Sequence, residues 1–143
     1  MVYEILPNLY LGDAKDAEYY DKNYSLVINC TKNIPFFTNN TCIRIPVDDN
    51  LELSEQTIIY NYWIDGRIFE EIDKNIRTGQ NILVHCQMGR QRSAATVAAY
   101  IMYTLNWPMD RIINFIKSKK PDAFLHSINF QKALEQLEKT ILH

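Results

Sequence analysis

A chain of 143 residues that is 47% hydrophobic and 22% charged has the size and composition of one globular domain around one core. Its formal net charge of -2 provides no global field for nucleic acid or an anionic membrane, so any anion site has to be local. No run approaches the roughly 18 apolar residues of a membrane span, and the opening MVYEILPNLYLG lacks the basic start and apolar core of a signal peptide.

The expectation is a soluble, unexported chain with no membrane span. Its three cysteines, Cys30, Cys42 and Cys86, are odd in number and irregularly spaced. That fits a reducing, cytoplasmic setting better than a disulfide framework. Asn-x-Ser/Thr triplets begin at Asn23, Asn29 and Asn39 and are read as chance in an Asn-rich chain.

In chain order, YEILPNLYLG reads as a strand or hairpin edge with its turn at Pro7 and Asn8 and its end at Gly12. DAKDAEYYDKN follows as a short polar helix. YSLVINC (24–30) and TCIRIPV (41–47) are rich in β-branched residues and are predicted to be central strands. From Ser54, taken as an N-cap, Ile58, Tyr62, Trp63, Phe69, Ile72 and Ile76 recur at helical spacing until Gly79, with Gly66 the weak point. NILVH (81–85) is a short apolar strand buried on both faces. Three helices are predicted after it: Ala94 to Leu105, one opened by Pro108 and closed by Pro121, and Phe124 to Leu142. No repeat or linker divides residues 1–143, so they form a single domain. Its fold class is α/β: a central, mostly parallel twisted sheet of about five strands flanked by helices, with a helical C-terminal half.

The segment CQMGRQR joins the carboxyl end of that buried strand to the amino end of a helix, where open α/β sheets place their ligands. Free N–H groups of the turn and the positive end of the helix dipole make such a loop an anion cradle. Gly89 lets the backbone turn, and Arg92 offers a planar fork to two phosphate oxygens. Gln87, Met88, Gly89, Arg90, Gln91 and Arg92 are therefore the expected substrate-binding residues. The potential that holds a dianion also favours the thiolate of Cys86, the nucleophilic form of cysteine. His85 orients the loop, and the Ser93 hydroxyl can donate to the sulfur as it leaves. A cysteine after a strand is ordinarily a small core residue and a lone Ser93 only an N-cap. Two arginines and a glycine in the next six residues argue otherwise, because a core loop does not bury two guanidinium groups without an anion.

HCQMGRQRSA fits the His-Cys-x5-Arg-Ser signature of cysteine-dependent phosphatases, and the chain resembles the small, atypical dual-specificity branch of the protein tyrosine phosphatase superfamily. LPNLYLGDAKDA, VINCTKNIP, IPVDDN, AAYIM and FLHSINFQKALEQLE resemble further stretches of that family, so the likeness spans nearly the whole chain. Ser127 stands where many members carry asparagine.

Phosphoester cleavage also needs a proton for the leaving oxygen, and PVDDN supplies two carboxyls after a strand end. The residues alone leave Asp48 and Asp49 nearly even; the resemblance implies Asp49. It implies catalysis by Cys86, Arg92, Asp49 and Ser93, with no cofactor and no metal, on phosphoprotein substrates bearing phosphotyrosine, phosphoserine or phosphothreonine. No counterpart of the aromatic loop that deepens tyrosine-specific pockets is evident. Arg90 adds a basic residue where lipid-directed branches often carry one, whereas Gln87 is neutral where the phosphoinositide branch also has lysine. A lipid (phosphoinositide or phosphatidylglycerophosphate) or RNA 5'-phosphate substrate is thus the alternative, RNA being disfavoured by the acidic net charge. A phosphate-binding pseudophosphatase is the alternative of another class, and intact Cys86, Arg92 and Asp49 speak against it.

The remaining conspicuous residues have plainer readings. Cys30 and Cys42 are core or strand-edge thiols, and Trp63 and Trp107 are core. His126 and His143 are exposed helix residues, and the basic run KSKKP (117–121) is a solvated helix end.

Overall fold

The computed structural model describes residues 2–19 and 23–142, so His143 lies outside the described residues. β1 (Tyr3–Leu6) and β2 (Leu9–Gly12) form an antiparallel hairpin about Pro7 and Asn8. Asn8 takes a positive φ of 72°, a region asparagine tolerates, and its side-chain amide donates to Asn81 Oδ1 at 2.9 Å. After α1 (Ala14–Tyr19), β3 (Tyr24–Asn29), β4 (Thr41–Arg44) and β5 (Asn81–His85) complete a five-stranded sheet in the order β1-β2-β5-β3-β4. Apart from the hairpin, every pairing is parallel.

Strand β5 is central because it can be buried on both sides. Ile82 and Val84 face the main core while Leu83, between them, joins Ala17, Tyr24 and Val27 in a smaller cluster on the opposite face. The main core is closed by α2 (Leu53–Asp65), α3 (Ile68–Arg77), α4 (Arg92–Leu105), α5 (Met109–Lys119) and α6 (Gln131–Ile141). Ala94, Ala95, Ala98 and Ala99 let α4 run through its middle, buried continuously from Ser93 to Met102. Each fully buried Ile or Leu of this core contributes roughly 1.5–3 kcal/mol.

Register positions the chemistry. Gly12 pairs with His85, His85 with Asn29, and Asn29 with Arg44, so the carboxyl ends of four parallel strands finish in one row. The loops after β2, β5, β3 and β4 therefore emerge side by side, where ligands of parallel α/β sheets gather.

Several sequence expectations change. Strand β4 stops at Arg44 and is an edge strand rather than a central one, although Ile45 and Val47 beyond it are fully buried. The helix expected from Ser54 to Gly79 is two helices. Gly66 caps the first through its N–H to Tyr62 O at 2.9 Å, and Arg67, at a φ of 58°, redirects the chain. The N-cap of α2 is Glu52, not Ser54. Residues 124–130 are not helical, because Phe124 and His126 adopt φ values of 56° and 73°, which no right-handed helix accommodates. His126 is thus exposed on a loop. Trp63 is buried, but Trp107 is only half-buried, under the Arg111 guanidinium. In the KSKKP run Lys120 is buried at 3% exposure, paired with Asp122 and lying over the Tyr3 ring. Among the described residues no helix is long and apolar enough to cross a membrane.

Candidate active site

The loop between β5 and α4 folds back on its own cysteine. Cys86 is buried, its Sγ 3.1 Å from Ser93 Oγ and 3.3 Å from the Gly89 nitrogen, whose N–H points at it. Gly89 is required twice over. Its φ of 71° lies in the left-handed region, and a Cβ there would come within 2.7 Å of the Gly12 carbonyl oxygen. Two backbone hydrogen bonds clamp the loop from outside: Ala14 N–H donates to Gln87 O at 3.1 Å and Phe124 N–H to Arg90 O at 2.8 Å. Among the described residues, the N–H groups of Gln87, Met88, Arg90, Gln91 and Arg92 donate to no protein group. They lie in the loop at the amino end of α4, where unpartnered backbone N–H groups favour an anion.

Arg92 opens that helix. Its Nη1 donates to Val47 O at 3.0 Å, while its Nε is buried without a hydrogen-bond partner among the described residues. A buried, unsatisfied guanidinium donor is costly and fits a site designed for an oxyanion. Thr96 Oγ1 takes the Trp63 indole N–H and donates to Arg92 O at 3.0 Å, bracing the first turn of the helix.

His85 sits under the loop with Nδ1 3.4 Å from Cys86 O. Burial, helped by the Arg44 and Arg92 charges, pushes its imidazole down to about 4, so at neutral pH the ring is uncharged. Neutral His85 can then donate Nδ1–H to that carbonyl. The neighbouring Cys30 thiol is pushed up to about 12, mainly by burial, and stays protonated.

The two acidic candidates are held differently. Asp48 is paired with Lys32 at 2.8 Å, and its N–H is anchored by buried Glu55 at 2.6 Å. Asp49 is exposed and accepts from the Asn129 side-chain amide at 2.8 Å. Arg92, through Val47, ties the start of this same segment to the phosphate loop.

Cys86, Gly89, Arg92 and Ser93 are therefore brought together, with His85 beneath them. Gln87 and Met88 are exposed, and Arg90 lies at the rim, its Nε 3.3 Å from Asp122 Oδ2. The Gln91 side chain is buried and turned away, bonded to Ser127 O at 2.8 Å and Asn129 N at 3.0 Å. Asn129, Asp122 and Glu55 were not singled out from the sequence. Their partners lie up to 80 positions away, and only the likeness of FLHSINF to a family segment drew attention to that region. A cavity of about 630 Å³, lined by Asn23, Asn39, Asn40 and Asn81 among others, lies at the opposite end of the strands, and none of the described residues that line it is titratable.

A mostly parallel five-stranded sheet flanked by helices, with this loop at the end of its central strand, matches the fold of dual-specificity phosphatases. The family model "Dual specificity phosphatase, catalytic domain" matches residues 9–140, and the chain belongs to that family. It is 33% identical to mouse dual specificity protein phosphatase 8 over 96% of its own length but only 21% of that protein. It is 32% identical to the 123R protein of Invertebrate iridescent virus 6, covering 95% of this chain and 91% of that one. Its fold is similar to the crystal structure of human DUSP28, with a TM-score of 0.85, 22% identity, and coverage of 99% and 95% of the two chains.

Proposed function

We propose that the chain hydrolyses phosphotyrosine, phosphoserine and phosphothreonine esters in proteins through a phosphocysteine intermediate. One observation carries this reading: the loop that holds buried Cys86, with the Gly89 N–H turned onto its sulfur, also holds Arg92, whose Nε is buried without a hydrogen-bond partner among the described residues. In the first step the Cys86 thiolate forms an S–P bond as the P–O bond to the leaving oxygen breaks. Arg92 and the loop N–H groups hold the equatorial oxygens, and Asp49 gives its proton to the departing alkoxide or phenoxide. In the second step ionised Asp49 takes a proton from water, the water oxygen bonds to phosphorus, and the S–P bond breaks. The Ser93 hydroxyl, 3.1 Å from Sγ, donates to the departing thiolate.

The protein substrate is supported by the family and by the names of its relatives, which include dual specificity protein phosphatases. Turnover of an aryl phosphate by wild type and Cys86→Ser tests the chemistry. Turnover that survived intact in Cys86→Ser would overturn it. Phosphopeptides set beside phosphoinositides, phosphatidylglycerophosphate and RNA 5'-phosphate test the substrate class, with the phosphopeptides expected to have the highest kcat/KM.

A further inference from the structure

Gln91 is a buried amide inside the phosphate loop whose side chain does not face the cradle. Both of its polar ends are used: Nε2 donates to Ser127 O at 2.8 Å, and Oε1 accepts from Asn129 N–H at 3.0 Å. The carbonyl of Asn129 is taken in turn by Gln56 Nε2 at 2.7 Å, and Gln56 Oε1 accepts from Ala133 N–H at 3.1 Å at the start of α6. The Asn129 backbone is thus bolted to the phosphate loop on one side and to α2 and α6 on the other. Its side chain is equally constrained, with Oδ1 bonded to Ser127 Oγ at 2.6 Å and Nδ2 donating to Asp49 Oδ1 at 2.8 Å.

An exposed aspartate on a loop would otherwise sample several rotamers. The Asn129 amide takes one carboxyl oxygen and leaves the other for the transferable proton, without placing a cation beside it. Asp48, by contrast, lies against Lys32. We propose that Asn129 and Gln91 are positioning residues for leaving-group protonation: Gln91 fixes Asn129 to the phosphate loop, and Asn129 holds Asp49 at a set place over the cradle. This inference rests on the reading of Cys86 as nucleophile and Asp49 as acid.

A series of aryl phosphates, from an ester of a strongly acidic nitrophenol to phenyl phosphate, tests it. An acid matters little when the leaving oxygen needs no proton and much when it does. Asn129→Ala keeps the backbone bonds to Gln91 and Gln56 and removes only the amide. It is expected to lower kcat/KM about tenfold or more for phenyl phosphate, and less than about twofold for the nitrophenyl ester, with inhibition by inorganic orthophosphate unchanged. Gln91→Ala is expected to show the same leaving-group dependence. In an Asp49→Ala background, Asn129→Ala should cost nothing further, because the residue acts only through Asp49.

A uniform loss across all esters in either variant, with weakened orthophosphate inhibition, would mean a purely structural role and would overturn the inference. So would a full Asn129→Ala effect that persisted without Asp49. An active wild type in which Asp49→Ala shows leaving-group dependence and Asn129→Ala does not overturns this inference alone. A wild type inert on every ester overturns the phosphatase reading along with it.

Discussion

Gly89 and Gly12 meet backbone to backbone: a Cβ on Gly89 would lie 2.7 Å from the Gly12 carbonyl oxygen. The phosphate loop is thereby pressed onto the end of β2, which is why the β1–β2 hairpin belongs to the site although it supplies no reactive side chain. Gly89→Ala meets both this clash and the left-handed φ of 71°, which alone costs roughly 1–2 kcal/mol for a residue with a Cβ. The loop must shift, and with it the N–H that faces Cys86 Sγ. We expect Gly89→Ala to remain folded by circular dichroism while its orthophosphate inhibition constant rises at least about tenfold. Wild-type inhibition in the variant would show that the cradle does not depend on this contact.

Buried His85 gives stability a defined pH dependence. Its folded-state value of about 4 lies below the usual 6.5, so between those values the unfolded chain binds a proton that the folded chain refuses. The contribution is fully present above pH 6.5 and is lost as pH falls toward 4, on the order of 3 kcal/mol over the window. His85→Asn keeps a donor for Cys86 O and cannot titrate. Urea midpoints compared at pH 7 and pH 4.5 should fall more for wild type than for this variant. Equal falls would remove His85 as the source.

Asp122 joins two cations, buried Lys120 and half-exposed Arg90. Partial burial alone would raise its carboxyl, but Lys120 and then Arg90, by hydrogen bond and charge, hold it below its usual value. Asp122→Asn leaves Lys120 buried without a counter-charge. Breaking a fully buried pair costs about 3–5 kcal/mol. With Asp122 40% exposed, solvent screening reduces this to about 1–2 kcal/mol. Chemical denaturation should read that loss. Turnover of a small aryl phosphate should change less than about threefold, since neither cation touches Cys86. A variant as stable as wild type would mean that Lys120 finds another partner.

The parts of the fold that were legible in the sequence are those written in local periodicity. NILVH announces a doubly buried strand, Gly79 ends α3 at a φ of 71°, and Pro108 caps α5. The cradle was legible because its members lie within nine consecutive residues, His85 to Ser93. What was not legible depends on tertiary contacts or on backbone conformations that side-chain patterns do not encode. The edge position of β4 follows from pairing order rather than composition. The break at Arg67 and the irregular stretch from Phe124 to Phe130 use left-handed non-glycine residues, which carry no signal in an apolar pattern. The Gln91–Asn129–Asp49 chain links three segments that only the folded state brings together.

Asp48 and Asp49 are held differently, which supports the proposed choice of Asp49 as the acid. Asp48 is committed to Lys32, and its main-chain N–H, anchored by Glu55, survives removal of the side chain. Asp48→Ala therefore loses one exposed ion pair, which solvent screens, and should change kcat by no more than a few fold. Asp49 follows β4 at the carboxyl ends of the parallel strands and is tied through Asn129 to Gln91 of the loop that holds Cys86. On the proposed mechanism its removal leaves the leaving oxygen without a proton donor, and positioned general acids contribute roughly 10²–10⁴-fold. Asp49→Ala should therefore lower kcat on a phosphoserine or phosphotyrosine peptide by at least about 10²-fold. Steady-state kinetics of both variants beside wild type decides the matter. A larger loss in Asp48→Ala than in Asp49→Ala would move the acid to another residue and release Asn129 from its part in the mechanism.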